Sequence, residues 1–259
     1  MFNKRLLMTA SALATIISAP AFASDLYISA SVGINDQENT FNDCTFTSNF
    51  ETGNIDALAA PLTIPSGAEV NWSTDLDKGD SYTFAFGKKI NNFRIEVEYA
   101  NSNADVKSHS GVSAAGIDLT QLDAGILISG NVGDLGVSTG ALVADGRGEI
   151  VTAGLYFNGY YDFDTGSAWT PFIGVGIGYG DTEVTFKPSG VDVISDKDSS
   201  TMYQLMAGIG YDLTESANLY AQVRYRDSGD VSVDSALLPA EFDIENESMV
   251  FDMGLRYSF

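Results

Sequence analysis

The residues best suited to chemistry are few and scattered. His109, the only histidine, stands in the stretch KSHSG with Asp105, Ser108 and Ser110 close by in sequence. An imidazole beside a carboxylate and a hydroxyl is the material of general-base and nucleophilic catalysis. Adjacency within one connecting segment does not make a dyad, however. A lone histidine there reads as an exposed loop residue, and the chain reads as a protein that is not an enzyme. Cys44 is the only cysteine, which excludes an internal disulfide and a cysteine-based zinc site and leaves a free loop thiol. Carboxylates crowd the same segments, among them Asp36, Asp43, Glu69, Asp196, Asp234 and Asp243. Their oxygens suit hard cations, but no stretch carries the spaced ligands and turn glycine of an EF-hand. The preferred reading is a solvated acidic surface, with no bound metal and no cofactor.

A second group of charges is regular. Arg94, Glu96 and Glu98 alternate with Phe93, Ile95 and Val97; Arg224 and Arg226 alternate with Val223 and Tyr225; Asp252 and Arg256 alternate with Phe251, Met253 and Leu255. A spacing of two puts the charged set on one face of a strand and the apolar set on the other. Lys89 and Asp162 fall on the same face, so five basic residues meet four acidic ones and nearly cancel. In a narrow, low-dielectric interior such charges persist only when paired and hydrogen-bonded. The expectation is a paired network of Arg94, Glu96, Glu98, Arg224, Arg226, Arg256 and Asp252 that plugs the interior of a closed sheet. The alternative is a charged conduction path, helped by inward glycines at Gly174, Gly176 and Gly178.

The same alternation recurs along the chain and gives eight clear strands. Leu26, Ile28, Ala30, Val32 and Ile34 share one face at the beginning; Phe251, Met253, Leu255, Tyr257 and Phe259 share one at the end. Short connections fall at Asn91-Asn92, at DTGSA and at TESA, while long, polar, acidic ones cover roughly 35–79, 107–148, 182–199 and 228–246. Aromatic residues such as Tyr82, Phe93, Tyr161, Tyr211 and Tyr257 gather near strand ends on the apolar face, as in the interfacial girdles of membrane barrels. No later stretch approaches the ~20 apolar residues of a membrane helix. The predicted fold is all-β: an antiparallel up-and-down transmembrane β-barrel of eight strands with long acidic external loops and short periplasmic turns. Residues 117–148 leave open a ten-stranded alternative, because they could form another hairpin or belong to an external loop that is helical in places.

The beginning of the chain, MFNKRLLMTASALATIISAPAFA, has a basic start at Lys4 and Arg5, an apolar run and an Ala21-Phe22-Ala23 cleavage pattern, the signature of a secretory signal peptide. Cleavage is expected between Ala23 and Ser24, giving a removed leader over 1–23 and a barrel domain over 24–259. The full chain has 13 Lys and Arg against 35 Asp and Glu; losing Lys4 and Arg5 leaves 11 against 35, a charge of about −24. That excess argues against nucleic acid as a partner.

NNFRIEVEYA, LYFNGYYDF, TPFIGVGIGYG, AGIGYDLTESANLYAQVRYR and the terminal GLRYSF, in this order, resemble the opacity-protein and major-surface-antigen families of Gram-negative outer membranes. The resemblance covers the strands and not the long loops. It implies an eight-stranded outer-membrane barrel with loops at the cell surface, acting as an adhesin or antigen or supporting the membrane. The runner-up is a small porin for ions or small solutes. The implied surroundings are outer-membrane lipid and lipopolysaccharide, the barrel-assembly machinery, and a host-surface or matrix ligand reached through the loops of a monomer. The row Leu255, Tyr257 and Phe259 resembles the recognition signal read by that assembly machinery.

Overall fold

The computed structural model describes residues 25–259; the expected leader and the Ala23/Ser24 cleavage site lie outside the described residues. Eight strands form the wall: β1 (Leu26–Gln37), β2 (Gly79–Ile90), β3 (Phe93–Ala114), β4 (Gly148–Asp162), β5 (Trp169–Phe186), β6 (Ile194–Asp212), β7 (Ala217–Asp227) and β8 (Glu247–Ser258). Each pairs antiparallel with its neighbour in sequence. The ring closes where β1 meets β8, from Tyr27 opposite Ser258 to Gln37 opposite Ser248. Closure leaves no unpaired edge around the ring, as a sheet in lipid requires. The ten-stranded alternative does not occur. Residues 117–148 fold Ile117–Asp118 back onto the end of β3, then hold a single turn of 3-10 helix at Ala124–Leu127 and a short helix at Thr139–Val143, and add no strand to the ring.

The short turns have local causes. Asn91 adopts φ 55° in the two-residue link from Ile90 to Phe93, the left-handed geometry of tight hairpins that asparagine tolerates. Asp164 Oδ1 accepts from Gly166 N at 2.8 Å, and Thr214 Oγ1 accepts from Ala217 N at 3.0 Å. These side-chain turns substitute for backbone pairing. All three lie at the end of the ring where β1 begins and β8 finishes.

At the other end the wall does not stop at a membrane's thickness. β3, β5 and β6 run for 22, 18 and 19 residues, against the ~9–11 that cross a bilayer. Their surplus joins four strands from the long connections. Thr40–Phe46 pairs with Glu69–Leu76, Glu69–Leu76 with the far part of β3, Ala240–Ile244 with Thr40–Phe46, and Val231–Asp234 with Ala240–Ile244. The connections expected to be loops therefore form a β-structured cap.

The polarity of the alternation inverts at the cap. In the lower wall, Ile173, Val175, Ile177 and Tyr179 of β5 point out and are exposed, while glycines point in; higher on the same strand Thr182, Val184 and Phe186 are buried and Asp181 and Glu183 are exposed. The extra strands obey the upper rule. Cys44, Phe46, Val70, Trp72, Val231, Val233, Phe242 and Ile244 are buried in one cluster with Ile150, Val184, Phe186 and Ile194. The acids Asp43, Glu69, Asp234, Glu241 and Asp243 occupy the alternate, exposed positions. Lipid rewards an apolar outside and water an apolar inside, so one closed wall reverses its faces where it leaves the membrane.

Candidate functional site

Three layers fill the structure from the short-turn end to the cap. The lowest is the charged lumen. Arg224 is its hub: Nη1 lies 2.6 Å from Glu98 Oε1 and Nε 2.8 Å from Asp252 Oδ2, with all three side chains about fully buried. Gln222 Nε2 donates to Asp252 Oδ1 at 2.8 Å, and Gln204 Nε2 donates to Glu98 Oε1 at 3.1 Å. Arg94 Nε reaches both oxygens of Asp162, at 2.9 and 3.0 Å, with its guanidinium 4.3 Å from the centre of the Tyr160 ring. Glu96 is held without a cation in contact: the hydroxyls of Tyr27 and Tyr160 donate to it at 2.9 and 2.8 Å and Asn158 Nδ2 at 3.2 Å.

Besides Glu96, three further expected lumen charges stand apart from this pairing. Arg226 is buried but meets neutral partners, Ser102 Oγ and Gln204 Oε1, both at 3.4 Å, and the Tyr156 ring. Arg256 donates to Asn218 Oδ1 at 3.3 Å and lies over the rings of Tyr27, Tyr220 and Phe172. Rings stand in for carboxylates there, through the attraction of a cation to a π face. Lys89 is not a lumen residue: its side chain is 54% exposed and its ammonium is 3.9 Å from Asp162 at the short-turn rim.

Neighbouring side chains occupy the space beside the inward glycines. A side chain at Gly174 would meet the Tyr160 ring, one at Gly176 would meet Asn158 and Gln204, and one at Gly178 would meet the Tyr156 ring. Each glycine is the seat of a neighbouring large side chain, a device that lets rings lie flat against the wall of a narrow barrel.

Above the charges is a neutral belt. Gln37 Nε2 donates to Asn246 Oδ1 at 2.8 Å, and Asn246 Nδ2 donates to Thr152 and Thr182 hydroxyls at 3.1 and 2.9 Å. The cap core lies beyond it.

His109 and Cys44 depart from the sequence reading, since both are buried in that core and not exposed in loops. The reason for His109 is the register of β3. One extra residue interrupts the pairing with Glu69–Leu76 between Val106 and Ser108 and another between Ser110 and Ser113. A bulge flips the faces of everything after it, so His109 turns inward although plain alternation points it out. Gly111, at φ 68°, supplies the left-handed backbone of the second interruption. The ring packs against Phe186 and Trp72, and burial pushes its pKa down to about 4. Its Nδ1 lies 2.8 Å from Thr74 Oγ1. Ser108 instead donates to Asp75, and Ser110 and Asp105 point to solvent. The residues that suggested a catalytic group therefore do not converge.

The outward acids do converge. Asp43 stands opposite Asp243 and Asp234 opposite Glu241 on paired strands. Like charges directly opposite each other on paired strands are destabilising. Among the described residues no three acidic, histidine or cysteine side chains are arranged to hold a metal ion.

A closed antiparallel ring with an apolar outer belt, a charged interior and elaborated strands at one end defines an outer-membrane β-barrel. The sequence profile described as Opacity family porin protein matches residues 86–259, from β2 to the end of β8. The chain belongs to that family and resides in the outer membrane of a Gram-negative bacterium. Among solved structures it is similar to the outer membrane protein OprG from Pseudomonas aeruginosa, with 16% identity, 92% of this chain and 96% of that one covered, and a TM-score of 0.53. Neisserial surface protein A is similar over 92% of this chain and all of its own, at 16% identity and a TM-score of 0.47. No curated protein matches the sequence.

Proposed function

We propose that this barrel is a non-enzymatic anchor that displays its cap for contact at the cell surface or supports the outer membrane, and that it does not conduct. The observation that carries this reading is the filling of the interior: paired charges from Arg94 to Arg224, then the Gln37–Asn246 belt, then an apolar core. An eight-stranded ring has room for little beyond side chains, and here hydrogen bonds and rings occupy it. The acids on the outer rows of the cap form the face offered to a partner such as a host surface or matrix component. Their like-charged cross-strand pairs make sense if stability is subordinate to what that face meets. Lipid and lipopolysaccharide surround the wall, the assembly machinery inserts it, and the barrel acts as a monomer.

The test is adhesion of cells displaying the intact protein against cells displaying the variant Asp43→Lys, Asp234→Lys, Glu241→Lys, Asp243→Lys. The proposal expects binding to cells or immobilised matrix, or resistance of the outer membrane to detergent, to fall at equal surface amounts. Unchanged behaviour in both assays would refute it. The porin reading, to which the family's description lends its word, predicts steady ion-selective current from the purified barrel.

A further inference from the structure

Three connections meet over one side of the cap core and form a lid: residues 139–147, 187–193 and 235–238. They are joined to one another. Ser189 N donates to Asp145 Oδ1 and Ser189 Oγ to Leu142 O, both at 2.7 Å, and Ala236 N donates to Val193 O at 2.9 Å. Val143, Val193 and Leu237 of the lid and Trp72, His109 and Phe186 of the strands together line a cavity of about 40 Å³ whose surface is apolar throughout. The lid thus rests on the strands there through apolar contact that is incompletely filled. Segments held in this way open at lower cost than the strand ladders they cover.

His109 is the only titratable residue in that lining, and its hydrogen bonds suit only the neutral ring. Thr74 Oγ1 receives Asn42 Nδ2 at 2.7 Å and Trp72 Nε1 at 3.2 Å. Asn42 Nδ2 also donates to Trp72 O at 3.2 Å, which fixes the orientation of that amide. A hydroxyl has two acceptor positions and one proton, so the proton of Thr74 points to His109 Nδ1, 2.8 Å away. A proton on Nδ1 would set an N–H against a hydroxyl with no acceptor position left. Nε2 has no partner among the described residues. A charged ring therefore finds two donors and no acceptor. The surrounding charges do not compensate. Glu69, Asp75, Asp43, Glu241, Asp243 and Glu183 stand on the outward rows of the strands around the ring, as do Asp105 and Lys107 on its own strand. In the lid Lys187 pairs with Asp192 at 2.9 Å, and Asp145, the charge that favours protonation, is already paired with Arg147 at 3.1 Å. Cys44, in the same core, stays a neutral thiol, since burial pushes its pKa up to about 12.

We propose that the lid is opened by acid: a proton taken up by His109 lifts residues 139–147, 187–193 and 235–238 off the cap core while the barrel beneath stays closed. Trp72 and Phe186 are then bared, an apolar surface offered outside the membrane in acid and hidden at neutral pH. The ring is held by continuous backbone pairing and its lumen by the Arg224 network, neither of which involves His109. The device is independent of whether the barrel conducts or adheres.

Val143, buried on the inner face of the lid, serves as the probe. Full-length Cys44→Ala, Val143→Cys protein in lipid nanodiscs is treated with 4,4′-dithiodipyridine, which reacts with thiols in acid as well as at neutral pH. Each rate is divided by that of the urea-unfolded protein at the same pH. Burial holds the imidazole at about 4 in the closed cap, against 6.5 for the free side chain. Lid opening should therefore rise about 30-fold between pH 7.5 and 5, a range over which ordinary carboxylates stay ionised. His109→Phe should leave the normalised rate flat; His109→Gln takes its place should the phenylalanine variant not fold. Heat-modifiable gel mobility should report a folded barrel throughout. A pH-independent rate in the parent, an equal rise in the non-titrating variant, or loss of the folded mobility together with the labelling would each overturn the proposal.

Discussion

Replacing Arg224 by methionine isolates the energetics of the lumen. Arg224 neutralises two carboxylates at once, Glu98 at 2.6 Å and Asp252 at 2.8 Å, and none of the three side chains is more than 2% exposed. Without the guanidinium, the direct side-chain donors left to those carboxylates are Gln204 at 3.1 Å for Glu98 and Gln222 at 2.8 Å for Asp252. Removing one partner of a buried pair costs ~3–5 kcal/mol, because the remaining charge has lost both water and its counter-ion. Two charges are stranded here, so Arg224→Met should lie at the upper end, at about 5 kcal/mol. The triple variant Arg224→Met, Glu98→Gln, Asp252→Asn keeps the shapes and removes all three charges. It should recover all but ~1–2 kcal/mol, since a neutral, well-packed substitute for a buried ion pair is often tolerated. Urea unfolding in lipid vesicles, followed by Trp169 fluorescence at the lipid face and by heat-modifiable gel mobility, measures both. A loss under ~1 kcal/mol for the single variant, or a triple variant no better than the single, would refute the view that these charges are held by mutual pairing.

Other outcomes follow from the cap and from the end of β8. His109 has a depressed pKa, about 4 against 6.5 for the free side chain. The unfolded chain therefore takes up a proton first as pH falls, and stability present above pH 6.5 is lost between about 6.5 and 4, by ~3 kcal/mol. Asp145 is the charged group that opposes this shift. In a Trp169→Phe background, Trp72 fluorescence should show the loss, and His109→Phe should abolish that part of the pH dependence; an unchanged slope refutes the assignment. Cys44, whose thiol is pushed up to about 12 by burial, should resist maleimide in the folded protein and react on unfolding, and rapid labelling of the native state would contradict the packed cap. If the row Leu255, Tyr257 and Phe259 addresses the assembly machinery, Phe259→Ala should lower insertion in cells more than stability after refolding in vitro. Equal losses would leave the ring a packing role against Tyr257, 5.6 Å away.

The ring was readable from sequence because lipid and lumen impose opposite demands on alternate residues. Arg94, Glu96 and Glu98 beside Phe93, Ile95 and Val97 admit one arrangement. The cap was less readable for two physical reasons. Its outer rows are acidic, so TFNDCTF and AEFDI resemble solvated loops unless Phe46, Phe242 and Ile244 are read as an inward row. That signal is present, with the polarity of a water-soluble sheet instead of a membrane one. The bulges of β3 then break the period, and nothing short of the partner strand reveals that His109 joins the inward row. The separation of Arg226 and Arg256 from the carboxylates was also hidden. The alternation supplies five basic and four acidic inward residues, nearly balanced, but only registry shows that tyrosine and phenylalanine rings, and not carboxylates, lie beside these two.

Single-channel recording of the refolded barrel in planar bilayers bears most directly on the sealed interior. The filled lumen, the hydrogen-bonded belt and the apolar cap core predict a silent baseline with no steady current at any moderate voltage. Arg224→Met, if folded, should give at most flickering openings as its stranded carboxylates draw in water. Steady, ion-selective conductance from the unaltered protein would contradict the account.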